Sequence, residues 1–171
     1  LYLNQQAAIL AVQTGEVDFL YSSQGLVAGY RQQLEGNPDV EILTNPALGF
    51  RYLAFNQSRY PFDIPEFNQA VATLVDREFV MNRVLQGAGV PLATPIPPGN
   101  AFWFNPDLEV AGAGMGRAAR VLEAVGLLKS AGFTWDEEPV VDLADDLVLT
   151  PGSGLKTPDG AYFRPFVIMT P

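Results

Sequence analysis

The residue types able to do chemistry in this 171-residue chain gather in four short stretches. The densest is acidic: Asp136, Glu137 and Glu138 are followed by Asp142, Asp145 and Asp146. Carboxylates at that density supply either an acid and base pair or a calcium shell, and Asp145 with Asp146 would serve a carboxylate-dependent hydrolase. EF-hand spacing is absent, and the same run also reads as a solvated turn face. The second stretch, "AGAGMGR", places Gly112, Gly114 and Gly116 just ahead of a helical pattern, where free N–H groups could hold a phosphate. Its spacing is G-x-G-x-G, with no apolar strand before it and no Lys-Ser/Thr after it, so a helix-entry loop is the competing reading. Third, Tyr21, Ser22 and Ser23 sit at the end of an extended pattern, a position where ligands meet α/β sheets and where ordinary polar turns also occur. Fourth, Trp103 between Phe102 and Phe104 offers either a stacking platform for a ligand or packing for a proline-rich loop.

What is missing narrows the chemistry further. The chain holds no Cys and no His, which removes thiolate nucleophiles, disulfides, Ser-His-Asp triads and the usual metal ligands. No cofactor is called for by any motif. A net charge of −9 disfavours nucleic acid and anionic lipid, since both are gripped by clustered Lys and Arg. No apolar run approaches the roughly 18 residues of a membrane-spanning helix, so no membrane insertion of this segment is expected. The first residue is not Met and the last residues are an apolar run, so both ends look cut from a longer chain.

These stretches must be positioned by elements that hydropathy patterning outlines. A helix is expected in "NQQAAILAVQTG", capped by Asn4 and stopped at Gly15. "EVDFLY" alternates as a half-buried strand, and "NPDVEIL" gives a short strand through Val40 and Ile42. "GLVAGYRQQL" is weakly helical because of Gly25 and Gly29. "GFRYLAFN" is apolar on both faces and predicts a buried central strand. Asp63 and Glu66 around Pro65 form a capping-box-like start to a helix bearing Phe67, Ala70, Val71, Leu74 and Val75, and Asp76 caps a second stretch through Val80 and Val84. A third helix carries Ala118, Val121, Leu122, Val125 and Leu128, ending near Gly132. The tail is extended, with Val140, Val141, Leu147 and Leu149 as strand candidates and a turn at Asp159-Gly160. Helices alternating with strands argue for an α/β fold with a mixed sheet.

The ordered set "AVQTGEVDFLY", "GFRYLAFN", "FNQAVATLVDREFVMNRVLQGAGVPLATPIPPG" and "LLKSAGFTW" resembles the family-5 extracellular solute-binding proteins of ABC transporters, the dipeptide-, oligopeptide- and nickel-binding group. The resemblance covers about residues 7 to 135 and, more loosely, the tail to Pro171. It implies a fragment of a periplasmic-binding-protein-like (type II) lobe, α/β with a mixed sheet and flanking helices. Residues 1–49 would form the edge of a first lobe and 50–171 the N-terminal part of a second, with Arg51 and Tyr52 at a hinge strand. It further implies a non-enzymatic role: capture of a small-molecule or peptide ligand, with Tyr21, Ser22, Ser23 and Trp103 as cleft residues, and delivery to ABC permease subunits. The location would be periplasmic or extracytoplasmic, with a lipoprotein anchor in the full-length protein as one form. One departure stands out: the family usually has Arg at the position of Asn68, ahead of Gln69 and Ala70.

Overall fold

Two helices and an aromatic cluster form the centre of the computed structural model, which describes residues 2–22, 25–45 and 48–169. Helix α3 (Pro65–Leu74) packs along α5 (Arg117–Ser130). The buried contact is made by Phe67 and Ala70 from α3, Ala124 and Leu128 from α5, and Phe133 just beyond it. Rings surround Phe67 on several sides: Phe133 stacks on it at 5.8 Å and Phe163 at 5.5 Å, while Phe62 meets it edge-on at 5.6 Å. Small residues at 70 and 124 let the helices approach, and the rings fill the remaining volume, so the pair is held by apolar burial.

Helix α3 begins where Pro65 allows. Ile64, as the residue before a proline, is extended (φ −87°, ψ 114°) and serves as N-cap without a side-chain bond, so Asp63 does not cap this helix as the sequence pattern predicts. Asn68 donates from Nδ2 to the Phe62 carbonyl at 2.9 Å, tying the preceding loop to the helix, while its Oδ1 is buried without a partner among the described residues. Leu74 and Val75, expected on the apolar face, are exposed; Thr73 is buried instead, because the carbonyl side of residue 73 meets the loop at Gly112.

Asp76 caps the next turn as expected, accepting from Phe79 N at 2.8 Å. That turn, α4 (Arg77–Phe79), runs directly into a π-helical turn over Val80–Val84. Arg120, buried in α5, reaches back to it: Nε donates to Met115 O at 2.9 Å, and Nη1 lies 3.1 Å from Asp76 Oδ1 as an ion pair without an aligned N–H. The proline-rich stretch from 90 to 107 is irregular, as predicted.

After α5 and the left-handed Gly132 (φ 88°), the chain forms an antiparallel hairpin, β1 (Val140–Asp142) and β2 (Leu147–Thr150), lying against α5. Isolated bridges pair Thr134 and Tyr162 with Lys156, and Glu137 with Ser153, extending the hairpin irregularly.

Near the start of the chain, α1 (Gln5–Gln13) has the predicted Asn4 cap, with Oδ1 accepting from Ala7 N at 2.9 Å, and it contacts α2 (Ala28–Glu35). Here the structure corrects three expectations. Residues 16–21, 40–42 and 50–56 form neither helix nor paired strand among the described residues, and residues 16 and 18 are bends. Phe19, Tyr52 and Leu53 are exposed, and of the anticipated buried strand only Phe55 is half-buried, against the aromatic cluster. The physical reason is that alternation marks a chain suited to a sheet but does not supply the neighbouring strand; among the described residues none lies alongside these segments.

Candidate functional site

Of the predicted cleft residues, Ser22 is the one whose surroundings are built from several elements. Its Oγ donates to Gly25 O at 2.7 Å, and Gly25 N returns a bond to Ser22 O at 3.2 Å, with Gly25 at a positive φ (78°) at the start of the loop entering α2. Gln5, in the first turn of α1, pins this loop to the helix: Nε2 donates to Gly25 O at 3.0 Å and to Ser22 Oγ at 3.4 Å, and Oε1 accepts from Val27 N at 3.5 Å. The loop entering α2 is therefore positioned by a side chain that sequence reading passed over. The only signal was a pair of amides, Gln5-Gln6, ahead of an apolar run, and nothing local distinguishes the one that turns inward. Tyr21, beside Ser22, projects into solvent, 77% exposed. Ser23 lies outside the described residues.

Trp103 stands on a separate turn. Its backbone N–H donates to Asn100 O at 3.1 Å, and its indole meets Phe102 edge-on at 4.9 Å. It is 65% exposed, so the proline-rich loop is not packed onto the helices through this residue. Among the described residues no hydrogen bond or ring contact joins Trp103 to Tyr21 or Ser22. Arg51 and Tyr52 lie on the unpaired connector with their side chains exposed, and Tyr52 touches the Phe50 ring at 5.6 Å.

The glycine loop and the acidic run answer each other. Asp146, in the hairpin turn with φ 53°, accepts from Arg117 N at 2.9 Å and from Ala118 N at 2.7 Å, the first amides of α5. Those backbone donors hold its carboxyl below the usual carboxylate range, with the nearby guanidinium groups of Arg117 and Arg120 adding to the effect. Glycine at 116 leaves room for this cap, because a Cβ would displace the Asp146 carboxylate. Gly114 N donates to Glu78 Oε1 at 3.2 Å, while Ala113 and Met115 bond within the loop. These donors, which a phosphate would use, are thus taken by carboxylates and backbone carbonyls of this chain. A cavity of about 240 Å³ beneath the loop is lined by Arg77, Glu78 and Val110 among others, yet Arg77 Nη1 is already committed to Ala72 O and Ala111 O.

The remaining acids are also spoken for in part. Asp136 accepts from Lys156 Nζ at 2.5 Å and from Tyr162 Oη at 3.0 Å, which lowers its pKa, the lysine bond being the larger cause. Glu138 pairs with Lys129 at 2.5 Å. No group of three or more carboxylates among the described residues converges on a metal position. Asp146, with both oxygens bonded to amides of α5, is a helix cap, which removes the acid–base pair anticipated for Asp145 and Asp146.

Comparison with known proteins gives this arrangement its context. The family model of bacterial extracellular solute-binding proteins, family 5, middle region, matches residues 1–157. The chain belongs to this family. Among its curated relatives, the heme-binding protein A of Haemophilus influenzae is 32% identical over 78 residues, covering 45% of this chain and 14% of that protein. The glutathione-binding protein GsiB of Escherichia coli K12 is 30% identical over 101 residues, covering 58% of this chain and 18% of that protein. This family-5 chain spans less than a fifth of the length of either relative. No helix among the described residues is long and apolar enough to cross a membrane.

Proposed function

We propose that this chain is part of the substrate-binding component of an ABC importer, working outside the cytoplasmic membrane and delivering a small, peptide-like solute to a membrane permease. The family match over residues 1–157 carries this reading. Glutathione, a peptide, and heme are the solutes named for the two relatives, and they are the first probes to try here. The protein binds and does not turn over its solute.

In this reading residues 1–49 belong to the edge of one lobe and 50–171 to the other. Support comes from which elements touch: α1 packs with α2, whereas α3 and the hairpin each pack on α5, and among the described residues no helix or strand of the first group contacts one of the second. Arg51 and Tyr52 lie on the exposed connector between them, where rotation about a few backbone torsions would move one body against the other. Tyr21, Ser22, Ser23 and Trp103 contribute to the cleft. Tyr21 and Trp103 each offer an apolar ring with a polar handle, and Gln5 holds the serine loop in place. Closure follows from a solute that binds the closed arrangement more tightly than the open one.

The test is titration of the complete protein with glutathione, heme and a dipeptide panel by calorimetry, paired with small-angle X-ray scattering. Saturating ligand should reduce the radius of gyration, and Tyr21→Ala or Trp103→Ala should weaken binding about tenfold, the scale of a lost aromatic contact. Tight binding with an unchanged scattering profile would eliminate the two-lobe closure, and failure of every solute in the panel would eliminate the peptide-like class.

A further inference from the structure

The hairpin presents one face to α5 and the other to solvent. Val141 and Val148, cross-strand partners, are half-buried on the side toward α5. Val140, Leu147 and Leu149 face outward, at least half exposed, and Leu143 continues the row around the turn. Such a row on a two-stranded sheet, with no further strand paired to it among the described residues, is unpartnered within them. It is also rigidly held, because Asp146 fastens the turn to α5 and Glu138 ties the approach to Lys129.

Its charge is one-sided. Residues 136–150 contain six carboxylates and no Lys or Arg. Asp136, Glu138 and Asp146 are engaged within the fold, as described above. Glu137, Asp142 and Asp145 have no basic partner among the described residues. Asp142 lies directly across from Leu147, and its Oδ1 accepts only from the turn amides of Ala144, at 2.9 Å, and Asp145. Glu137 flanks the base of the hairpin, while Asp142 and Asp145 flank its tip. The apolar row is therefore bounded at both ends by unneutralised negative charge. A second copy of this chain, at net −9, would bring like charge against it.

We propose that the outer face of the β1–β2 hairpin docks a protein segment with an apolar strip bounded by Lys or Arg at both ends. Apolar side chains cover Val140, Leu147 and Leu149, and the flanking cations meet Glu137 at one end and Asp142 with Asp145 at the other. The pre-ordered hairpin lowers the entropy cost of binding, and the charges set the choice of partner and the salt dependence.

The experiment uses the complete protein and a synthetic octapeptide, Lys-Lys-Leu-Val-Leu-Val-Lys-Lys, with the sequence in which Glu replaces every Lys as control. Binding is measured by fluorescence anisotropy at 20 and 300 mM NaCl, and the site is mapped by amide hydrogen exchange. The expected result is protection confined to residues 140–150 and an affinity at least about fivefold lower at high salt, as for exposed charge pairs. Asp142→Asn with Asp145→Asn keeps the acceptor for Ala144 N–H and should weaken binding about fivefold. Leu147→Ser with Leu149→Ser should abolish it with an unchanged thermal melt. Equal binding of the Glu peptide, binding unaltered by either double variant, or no protection at 140–150 would overturn the proposal. So would prior protection of the outer row in the unliganded complete protein.

Discussion

Replacing Phe67 by Ala tests the packing on which the α3–α5 body depends. The side chain is 4% exposed, and its ring lies 5.5 Å from Phe163, 5.6 Å from Phe62, 5.8 Å from Phe133 and 6.5 Å from Phe55. A buried Phe→Ala change costs about 3–5 kcal/mol through lost transfer energy and the residual cavity. Ring pairs add about 0.5–1.5 kcal/mol beyond area alone, so four neighbouring rings place Phe67 in the upper half of that range, about 4–5 kcal/mol. For a domain of this size each kcal/mol lowers Tm by about 2–4 °C, giving an expected drop of about 8–20 °C. Urea unfolding followed by circular dichroism and by tryptophan fluorescence measures it, since Trp135 packs against this cluster. The paired control is Phe102→Ala, an equal loss of ring at a site 84% exposed, which should change stability by no more than about 0.5 kcal/mol. If the two substitutions cost the same, or if Phe67→Ala costs less than about 1 kcal/mol at unchanged m-value, the aromatic cluster is not what holds α3 to α5.

Gly126→Ala, in the interior of α5 with nothing within 4 Å of the added methyl, should stabilise by about 0.5–1 kcal/mol in a thermal melt. Gly116→Ala should instead destabilise, because its methyl displaces the Asp146 carboxylate. Gly112→Ala should do so too, because its methyl would come within 2.8 Å of Thr73 O at a position with φ 72°. The folded pKa values of Asp146 and Asp136 are both depressed from 3.8, so their contribution is fully present above that value and is lost as pH falls through the lower folded values. Unfolding midpoints should therefore decline as pH drops below about 5, and Asp146→Asn should make that acid limb shallower; an identical limb would show that the cap does not titrate with folding.

Locally encoded elements are legible in the sequence. The Asn4 and Asp76 caps, the spacing of Phe67 and Ala70, and the apolar positions of α5 each follow from interactions within a few residues, and so does the alternation of the 140–150 hairpin. Phase errors were small: Leu122 was expected on the inner face of α5 and is exposed, while Ala124, overlooked because it is small, is buried. Strand formation at 16–21, 40–42 and 50–56 was misread because pairing is decided by distant chain, and an apolar run carries no record of its neighbour. The most consequential feature of the glycine loop was equally remote. Asp146 reaches Arg117 N across 29 residues, so neither "AGAGMGR" nor "ADD" alone announced that one supplies the anion for the other. Membership in family 5 was legible from the order of motifs. The candidate cleft was legible only as positions, since Tyr21 and Trp103 depend on contacts beyond their own turns.

The long excursion between Val84 and Gly116 leaves and rejoins the α3–α5 body with few ties, chiefly Arg77 to Ala111, Glu78 to Gly114 and Arg120 to Met115. Chain length in such a detour is thermodynamically inexpensive, since each doubling of a flexible loop adds only about 0.6 kcal/mol of closure entropy. Insertions or deletions there can shift where Trp103 stands without disturbing a single ring beneath. A scaffold of this kind lets the outer loop change length between related proteins while the framework beneath it stays constant.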